Sequence, residues 1–246
     1  MALQPLVDQT VLLTGGGSGI GAAIARKLVS ASAHAIITGR TEAKLKELCV
    51  AHGDNRLRYR VCDGADPAQV EACMKWSLEQ FGGRLDLLIN NAGVNLKDRS
   101  ARKLTPETWR YTLQANLDSA YFFIRAALPA MTAQGGGLII NINSIAGKRA
   151  TKLSGAAYCA SKFAMAALSD SVRVEEREHG IRTTSIFPGE VDTPILEQRP
   201  EPVPPERRKL ILQAEDVAEA VLFVASLPPR VSIPELIITP AAQPFA

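Results

Sequence analysis

Thr10-Val11-Leu12-Leu13-Thr14-Gly15-Gly16-Gly17-Ser18-Gly19-Ile20-Gly21 is the stretch on which the fold of this chain turns. Thr10 to Leu13 is a short apolar run, read as a buried strand. A glycine-rich turn follows at once, and Ala22 to Ser30 continues as a helical segment. Strand, glycine turn and helix in that order form the front half of a βαβ phosphate-binding unit. Glycines let the backbone turn sharply and approach a pyrophosphate, and the helix N-terminus supplies free N–H groups. The spacing is Gly15, Gly19, Gly21 and not G-x-G-x-x-G, and a bare glycine run also suits a linker. The flanking strand and helix argue against the linker.

Ser154 to Gly180 carries the second signal. Ala157, Ala160, Ala164, Leu168 and Val172 recur at steps of three or four, which draws one apolar helical stripe. Ser154 is placed to cap the start, and Gly180 stands where a left-handed residue closes a helix. Tyr158 and Lys162, four residues apart, then lie one turn from each other on the same face. An ammonium near a phenol favours the phenolate, so the pair reads as a tunable proton donor and acceptor. Alone, it reads more readily as an ordinary exposed pair on a core helix.

Outside these stretches, strands and helices alternate. Strands are expected at Ala35–Thr38, Arg58–Val61, Leu85–Ile89, Leu138–Ile142, Thr183–Phe187 and Leu236–Ile238. Helices are expected from Thr41 to Ala51, from the Asp66-Pro67 start to about Phe81, as one long helix from Thr105-Pro106, and over Ala214–Ser226. This spacing predicts a single-domain, Rossmann-type, doubly wound parallel sheet of about seven strands with helices on both faces. Arg40, Asp63, Asn91, Ser144 and Pro188 all fall at strand C-terminal ends, the edge where such sheets bind ligands.

Composition narrows the class. The chain has 246 residues, 46% hydrophobic and 22% charged, which suits a folded globular protein. A net charge of +3 with no basic run gives no reason to expect nucleic acid. No apolar stretch is long enough to span a membrane, and Met1 to Pro5 lacks a signal layout. Cys49, Cys62, Cys73 and Cys159 show no metal-ligand spacing, so reduced thiols and no metal are expected. Together these features point to the cytoplasm.

The sequence resembles the short-chain dehydrogenases/reductases from Thr14 through Thr193. The carrying motifs are TGxxxGxG at Thr14–Gly21, NNAG at Asn90-Asn91-Ala92-Gly93, and YxxxK at Tyr158 and Lys162. Ser144 lies the expected distance before the tyrosine, Asn116 falls mid-helix, and Pro188-Gly189-Glu190-Val191-Asp192-Thr193 matches PG-x-x-x-T. Asp63 is followed by Gly64 where the family commonly has an apolar residue, and no Asp-Gly-Gly follows the last strand. The resemblance implies catalytic roles for Asn116, Ser144, Tyr158 and Lys162, with Tyr158 as proton donor and Asn116 holding a relay water. It implies cofactor contacts from Gly15, Gly17, Ser18, Gly19, Ile20 and Gly21, from Asp63 to adenine, and from Asn91, Ala92 and Gly93. Further contacts fall to Tyr158, Lys162, Pro188, Gly189, Val191 and Thr193. The substrate is expected to be a small carbonyl or alcohol, of 3-oxoacyl or other ketone type, and the assembly a homodimer or homotetramer.

The second strand decides the cofactor. Gly39 occupies the position where NAD-preferring folds place an acid, and Arg40 and Thr41 come directly after. No carboxylate repels a 2′-phosphate there and a guanidinium grips it, so NADP is expected over NAD. The resemblance implies a lid at about 190–212, and the segments it places around the pocket carry a basic rim of Lys97, Arg99, Lys148, Arg149, Lys152, Arg207, Arg208 and Lys209. That rim suits an acidic substrate or carrier, or else is a solvated edge offset by neighbouring carboxylates. Two other functions compete: an extended-branch epimerase or dehydratase, which needs a longer C-terminal region, and a catalytically silent NADP-sensing regulator. Intact Tyr158 and Lys162 weigh against the regulator.

Overall fold

Every residue of β1 (Thr10–Thr14) is buried, as a central strand of a covered parallel sheet requires. The computed structural model describes residues 6–53 and 55–242. The chain continues through α1 (Gly19–Ser30), β2 (His34–Gly39), α2 (Glu42–His52), β3 (Leu57–Val61), α3 (Pro67–Gln80) and β4 (Leu87–Asn90). Then follow α4 (Pro106–Leu113), a π-helical turn (Gln114–Asp118), α5 (Ser119–Ala133), β5 (Gly137–Ile142) and α6 (Ala156–Glu175). The last elements are β6 (Ile181–Pro188), β7 (Val191–Asp192), α7 (Pro205–Arg208), β8 (Leu212–Gln213), α8 (Ala214–Ala225) and β9 (Glu235–Ile238).

Seven parallel strands lie in the order β3-β2-β1-β4-β5-β6-β9, so β1 pairs with β2 on one side and β4 on the other. That reversal opens a crevice at the strand C-termini. Alternate strand residues feed two cores. Val11, Leu13, Ile37, Ile89 and Ile140 pack with α1, α2 and α8, while Leu12, Ile36, Leu88 and Ile139 pack with α3, α5 and α6. The period-two geometry of a strand thus puts helices on both faces. β7 and β8 pair separately, beyond the end of β6.

Three local expectations need correction. The long helix from Thr105 is interrupted: α4 gives way to a π turn over Gln114–Asp118 before α5 begins. The apolar stripe runs through both parts, which hides one inserted residue from periodicity. Ser154 does not cap α6; Gly155 holds the N-cap position at φ 80°, and the Ser154 hydroxyl bonds Thr151 instead. Gly180 is left-handed at φ 72°, but it closes a 3₁₀ turn at Arg177–His179 after α6 has ended. The Asp66 cap holds, accepting from the backbone N–H groups of Ala68 and Gln69 ahead of Pro67.

Candidate active site

The glycine turn is shaped by its neighbour, the Asn90–Gly93 stretch. Thr14 Oγ1 accepts from the backbone N–H groups of Asn91 and Ala92, both at 3.0 Å. Asn91 Nδ2 donates to the carbonyls of Thr14 and Gly15, each at 3.0 Å. Both of its amide hydrogens are therefore spent on bracing the turn, and not on a ligand. Gly15 has φ 66°, and a Cβ there would lie 2.8 Å from Ala92 Cα. At Gly21 a Cβ would run into the Gly15 carbonyl and Asn91 Nδ2. A side chain at either position would dismantle the cradle.

Beyond the cradle lies a cavity of about 720 Å³. Its lining includes Gly15, Gly17, Ser18, Gly19 and Ile20, then Arg40 and Thr41, Asp63, Asn91, Ala92 and Gly93, and Thr193. Ser18 and Thr41 are the N-caps of α1 and α2, and neither hydroxyl makes a capping bond. Thr193 stands against Gly19, its Cβ 3.3 Å from where a Gly19 side chain would begin. Pro188, Gly189 and Val191 do not line the cavity. Gly189 N–H is held by the Ile238 carbonyl at 2.8 Å, and Val191 packs with Leu212 and Val217. These three set the course of the chain that delivers Thr193.

Sequence reasoning passed over several lining residues. Lys44 sits one turn into α2 beside Gly17, a position readable from helical spacing after Arg40. Tyr111 and Gln114 come from α4 and the π turn, which no local pattern links to Arg40. Asp63 Oδ1 accepts from Ala65 N–H at 3.1 Å, which fixes the carboxylate at the rim. Gly64 has its reason too: a Cβ there would strike the Ser119 hydroxyl.

The polar cluster gathers at the ends of β4 and β5. Ser144 follows β5 and its Oγ accepts from Ala146 N–H at 3.1 Å. Lys162 is 3% exposed, donates to the Ile142 carbonyl at 3.0 Å, and lies 5.7 Å from the centre of the Tyr158 ring. Burial alone pulls its pKa down to about 8. Burial also dominates at Tyr158 and pushes the phenol above its ordinary value; contact with Ser144 and the charge of Arg99 pull the other way, and Cys159 adds to the rise. The phenol is thus raised where a lowering by Lys162 was expected, and the groups that pull it down are Ser144 and Arg99. Asn116 is fully buried in the π turn. Its Oδ1 accepts from Val94 N–H at 2.7 Å, and its Nδ2 donates to the Val94 carbonyl and to Ser161 Oγ, both at 3.0 Å. Ser161 in turn donates to the Tyr158 carbonyl at 2.8 Å. Asn116 therefore ties the loop after β4 to the helix of Tyr158.

Among the described residues, no His, Cys, Asp and Glu group converges to hold a metal ion, and no helix is long and apolar enough to cross a membrane. The four cysteines are free.

A parallel sheet that opens at its switch point onto a glycine cradle defines a dinucleotide-binding α/β protein. A model of the short chain dehydrogenase family matches residues 9–203. An uncharacterised oxidoreductase of Staphylococcus aureus (strain MW2) is 34% identical over 235 residues, covering 96% of this chain and 98% of that protein. A serine dehydrogenase solved with NADP⁺ superposes with a TM-score of 0.86 at 30% identity, over 97% of each chain. A 3-ketoacyl-(acyl-carrier-protein) reductase from Brucella melitensis, solved with NADH, shares the fold at a TM-score of 0.88 and 24% identity, over 96% of this chain and 98% of that one. The chain belongs to the short-chain dehydrogenase family and is an NAD(P)-dependent oxidoreductase.

Proposed function

We propose that this protein is an NADP-preferring dehydrogenase/reductase acting on a small ketone or 3-oxoacyl-type carbonyl and its secondary alcohol, with Tyr158 as general acid and base. The observation that carries the reading is the meeting of Tyr158, Ser144 and Lys162, with Lys162 Nζ 3.8 Å from where a side chain on the cavity-lining Gly93 would begin. The cradle fits a dinucleotide because its glycines pack the turn so closely on Ile37, Ala92 and Thr193 that a Cβ would collide with them, and so leave bare backbone at the cavity edge for a pyrophosphate to approach. A nicotinamide bound there supplies or accepts the hydride.

The chain's own residues handle the proton. In reduction, Tyr158 gives its phenolic proton to the oxygen on which negative charge grows, and in oxidation it takes one back. Ser144 donates a hydrogen bond to the same oxygen, a pre-aimed contact worth about 3 kcal/mol. Lys162, when charged, stabilises the phenolate beside it. Asn116 holds the Val94 loop against the Tyr158 helix, and Oδ1 keeps one lone pair for the relay water that the resemblance implies. Arg40, Thr41 and Lys44 around the carboxylate-free Gly39 would hold a 2′-phosphate. The 190–212 segment serves as substrate lid on one catalytic domain, and the working form is a homodimer or homotetramer.

The test is oxidation of NADPH over a panel of small carbonyls by the wild type and Tyr158→Phe. We expect turnover by the wild type alone, with NADPH bound by both. Binding without turnover of any carbonyl or alcohol would give the silent regulator instead.

A further inference from the structure

Arg99 is only 7% exposed, and among the described residues no carboxylate pairs with it. Its Nε donates to the Leu96 carbonyl at 2.6 Å, Nη1 to the Leu153 carbonyl at 3.0 Å, and Nη2 to the Gln198 carbonyl. Carbonyls satisfy hydrogen bonds but leave a unit of charge uncompensated in a dry place. A guanidinium cannot shed that charge by losing its proton. Three of its five N–H groups are committed, which leaves one on each terminal nitrogen. A carboxylate accepts from guanidinium N–H groups, two at a time where they lie parallel.

The position of Arg99 matters as much as its charge. Its backbone carbonyl accepts from Ala156 N–H at 3.3 Å, in the first turn of the helix that carries Tyr158. Gly155, the N-cap of that helix, has no room for a side chain because Arg99 Cβ would lie 2.6 Å from it. The charge is close enough to favour ionisation of the Tyr158 phenol. Glu190, the carboxylate of the neighbouring segment, is held by Arg199 at 2.6 Å and Arg207 at 2.8 Å. Arg199 adds its own positive field at Arg99. A clamp between three loops needs donors and no charge, and the buried charge would then cost stability without return.

We propose that Arg99 is the anion-binding residue of the substrate pocket, and that the substrate is a small carboxylate: a short hydroxy acid or the matching oxo acid. This rests on the hydride-transfer reading above.

Two readouts keep the two ideas apart. With NADP⁺ present, calorimetry compares 3-hydroxybutyrate and 3-hydroxypropionate with their methyl esters, on the wild type and on Tyr158→Phe. The acids are expected to bind at least tenfold tighter than the esters to both proteins. Arg99→Met should erase that difference while NADP⁺ affinity holds, and Arg99→Lys should keep part of it. In turnover, kcat/KM for the acid should exceed that for the ester by the same tenfold. Equal binding of acid and ester to the wild type, or a preference that survives in Arg99→Met, overturns the inference. Should Arg99→Met not fold, the wild-type comparison and Arg99→Lys decide. Acids that bind through Arg99 without being turned over leave the anion site standing and remove the hydride-transfer reading. Turnover of neutral carbonyls with no preference for acids does the reverse.

Discussion

Arg40 and Tyr111 meet across the mouth of the cavity. Arg40 Nη2 donates to the Tyr111 hydroxyl at 3.3 Å, and the guanidinium lies 6.0 Å from the ring centre. The hydroxyl's pull holds the Arg40 pKa above its ordinary value, with Asp63 adding a smaller share. The contact joins the end of β2 to α4 and ties the Arg40 guanidinium to a second residue of the cavity lining. A charge-assisted hydrogen bond contributes about 1.5–3 kcal/mol. Gly39→Asp with Arg40→Ala is therefore expected to lower the NADPH:NADH ratio of kcat/KM by about tenfold or more. Tyr111→Phe removes the tether and keeps the guanidinium, so it should leave the NADPH preference in place. A wild type that already prefers NADH would show that Arg40 does not read the phosphate.

The phenol sets the pH response. Burial raises the Tyr158 pKa, and the groups facing it are Ser144 and Arg99, which lower it, Cys159, which raises it, and Lys162 beside the ring. Alcohol oxidation needs the phenolate, so kcat/KM should climb with pH through the alkaline range to a midpoint above about 10, the value for a free tyrosine. Ser144→Ala removes a stabilising contact to the phenolate and should move that midpoint upward. A midpoint that Ser144→Ala leaves unmoved would separate the two residues.

Lys162 makes a prediction about stability. Its folded pKa of about 8 lies below the ordinary 10.5, so between those values the unfolded chain binds more protons than the folded one. Stability therefore rises with pH across that window, and the buried charge is a penalty that is complete below pH 8. The shift corresponds to roughly 3 kcal/mol at 1.36 kcal/mol per pKa unit. Lys162→Met should unfold at higher denaturant than the wild type at neutral pH, with the gap closing between pH 8 and 10.5. Chemical denaturation at stepped pH measures it. A gap independent of pH would mean that the lysine is not held against its charge.

What the sequence made legible follows from where each determinant lies. The strand–turn–helix at Thr10–Ser30 and the Tyr158–Lys162 spacing are local patterns, and periodicity carries them. The π turn at Gln114–Asp118 was invisible because an extra residue per turn leaves the apolar stripe nearly intact. Arg99, Lys44 and Tyr111 matter through partners on other segments, and one sequence without its contacts does not state those. The Tyr158 shift also escaped, because charge proximity can be read from spacing and desolvation cannot.

Assembly is the fourth expectation. Tyr121, Phe122 and Phe123 of α5 and Phe163, Met165 and Ala166 of α6 extend the apolar surface of each helix beyond one stripe. Phe123 and Met165 are core, both 1% exposed, whereas Tyr121 is 46% exposed and Phe163 45%. Large apolar side chains left open on two helices suit a partner surface. Light scattering at micromolar concentration should give a dimer or tetramer mass, and Tyr121→Glu with Phe163→Glu should give monomer. A wild type that already scatters as a monomer would leave those side chains without an interface.

Gly64 and Ser119 provide the last test, on a contact that exists because one of the two has no side chain. Gly64 follows Asp63 in the lining of the cavity, and a Cβ there would overlap the Ser119 hydroxyl, with Ser119 Cβ at 3.1 Å and Phe123 Cε2 at 3.4 Å. Ser119 is 4% exposed at the start of α5, so it has little room to yield. Overpacking of this kind costs about 1–3 kcal/mol. Gly64→Ala alone should lower stability by that amount and weaken dinucleotide binding, because Asp63 shifts with its neighbour. Ser119→Gly alone should cost less. The pair together should recover most of the loss, since the new methyl then occupies the space the hydroxymethyl vacates. Neighbouring residues couple by about 0.5–3 kcal/mol in such cycles. A double variant as unstable as the sum of the two singles would mean that the strain is taken up by the backbone after Asp63 and not by the α5 contact.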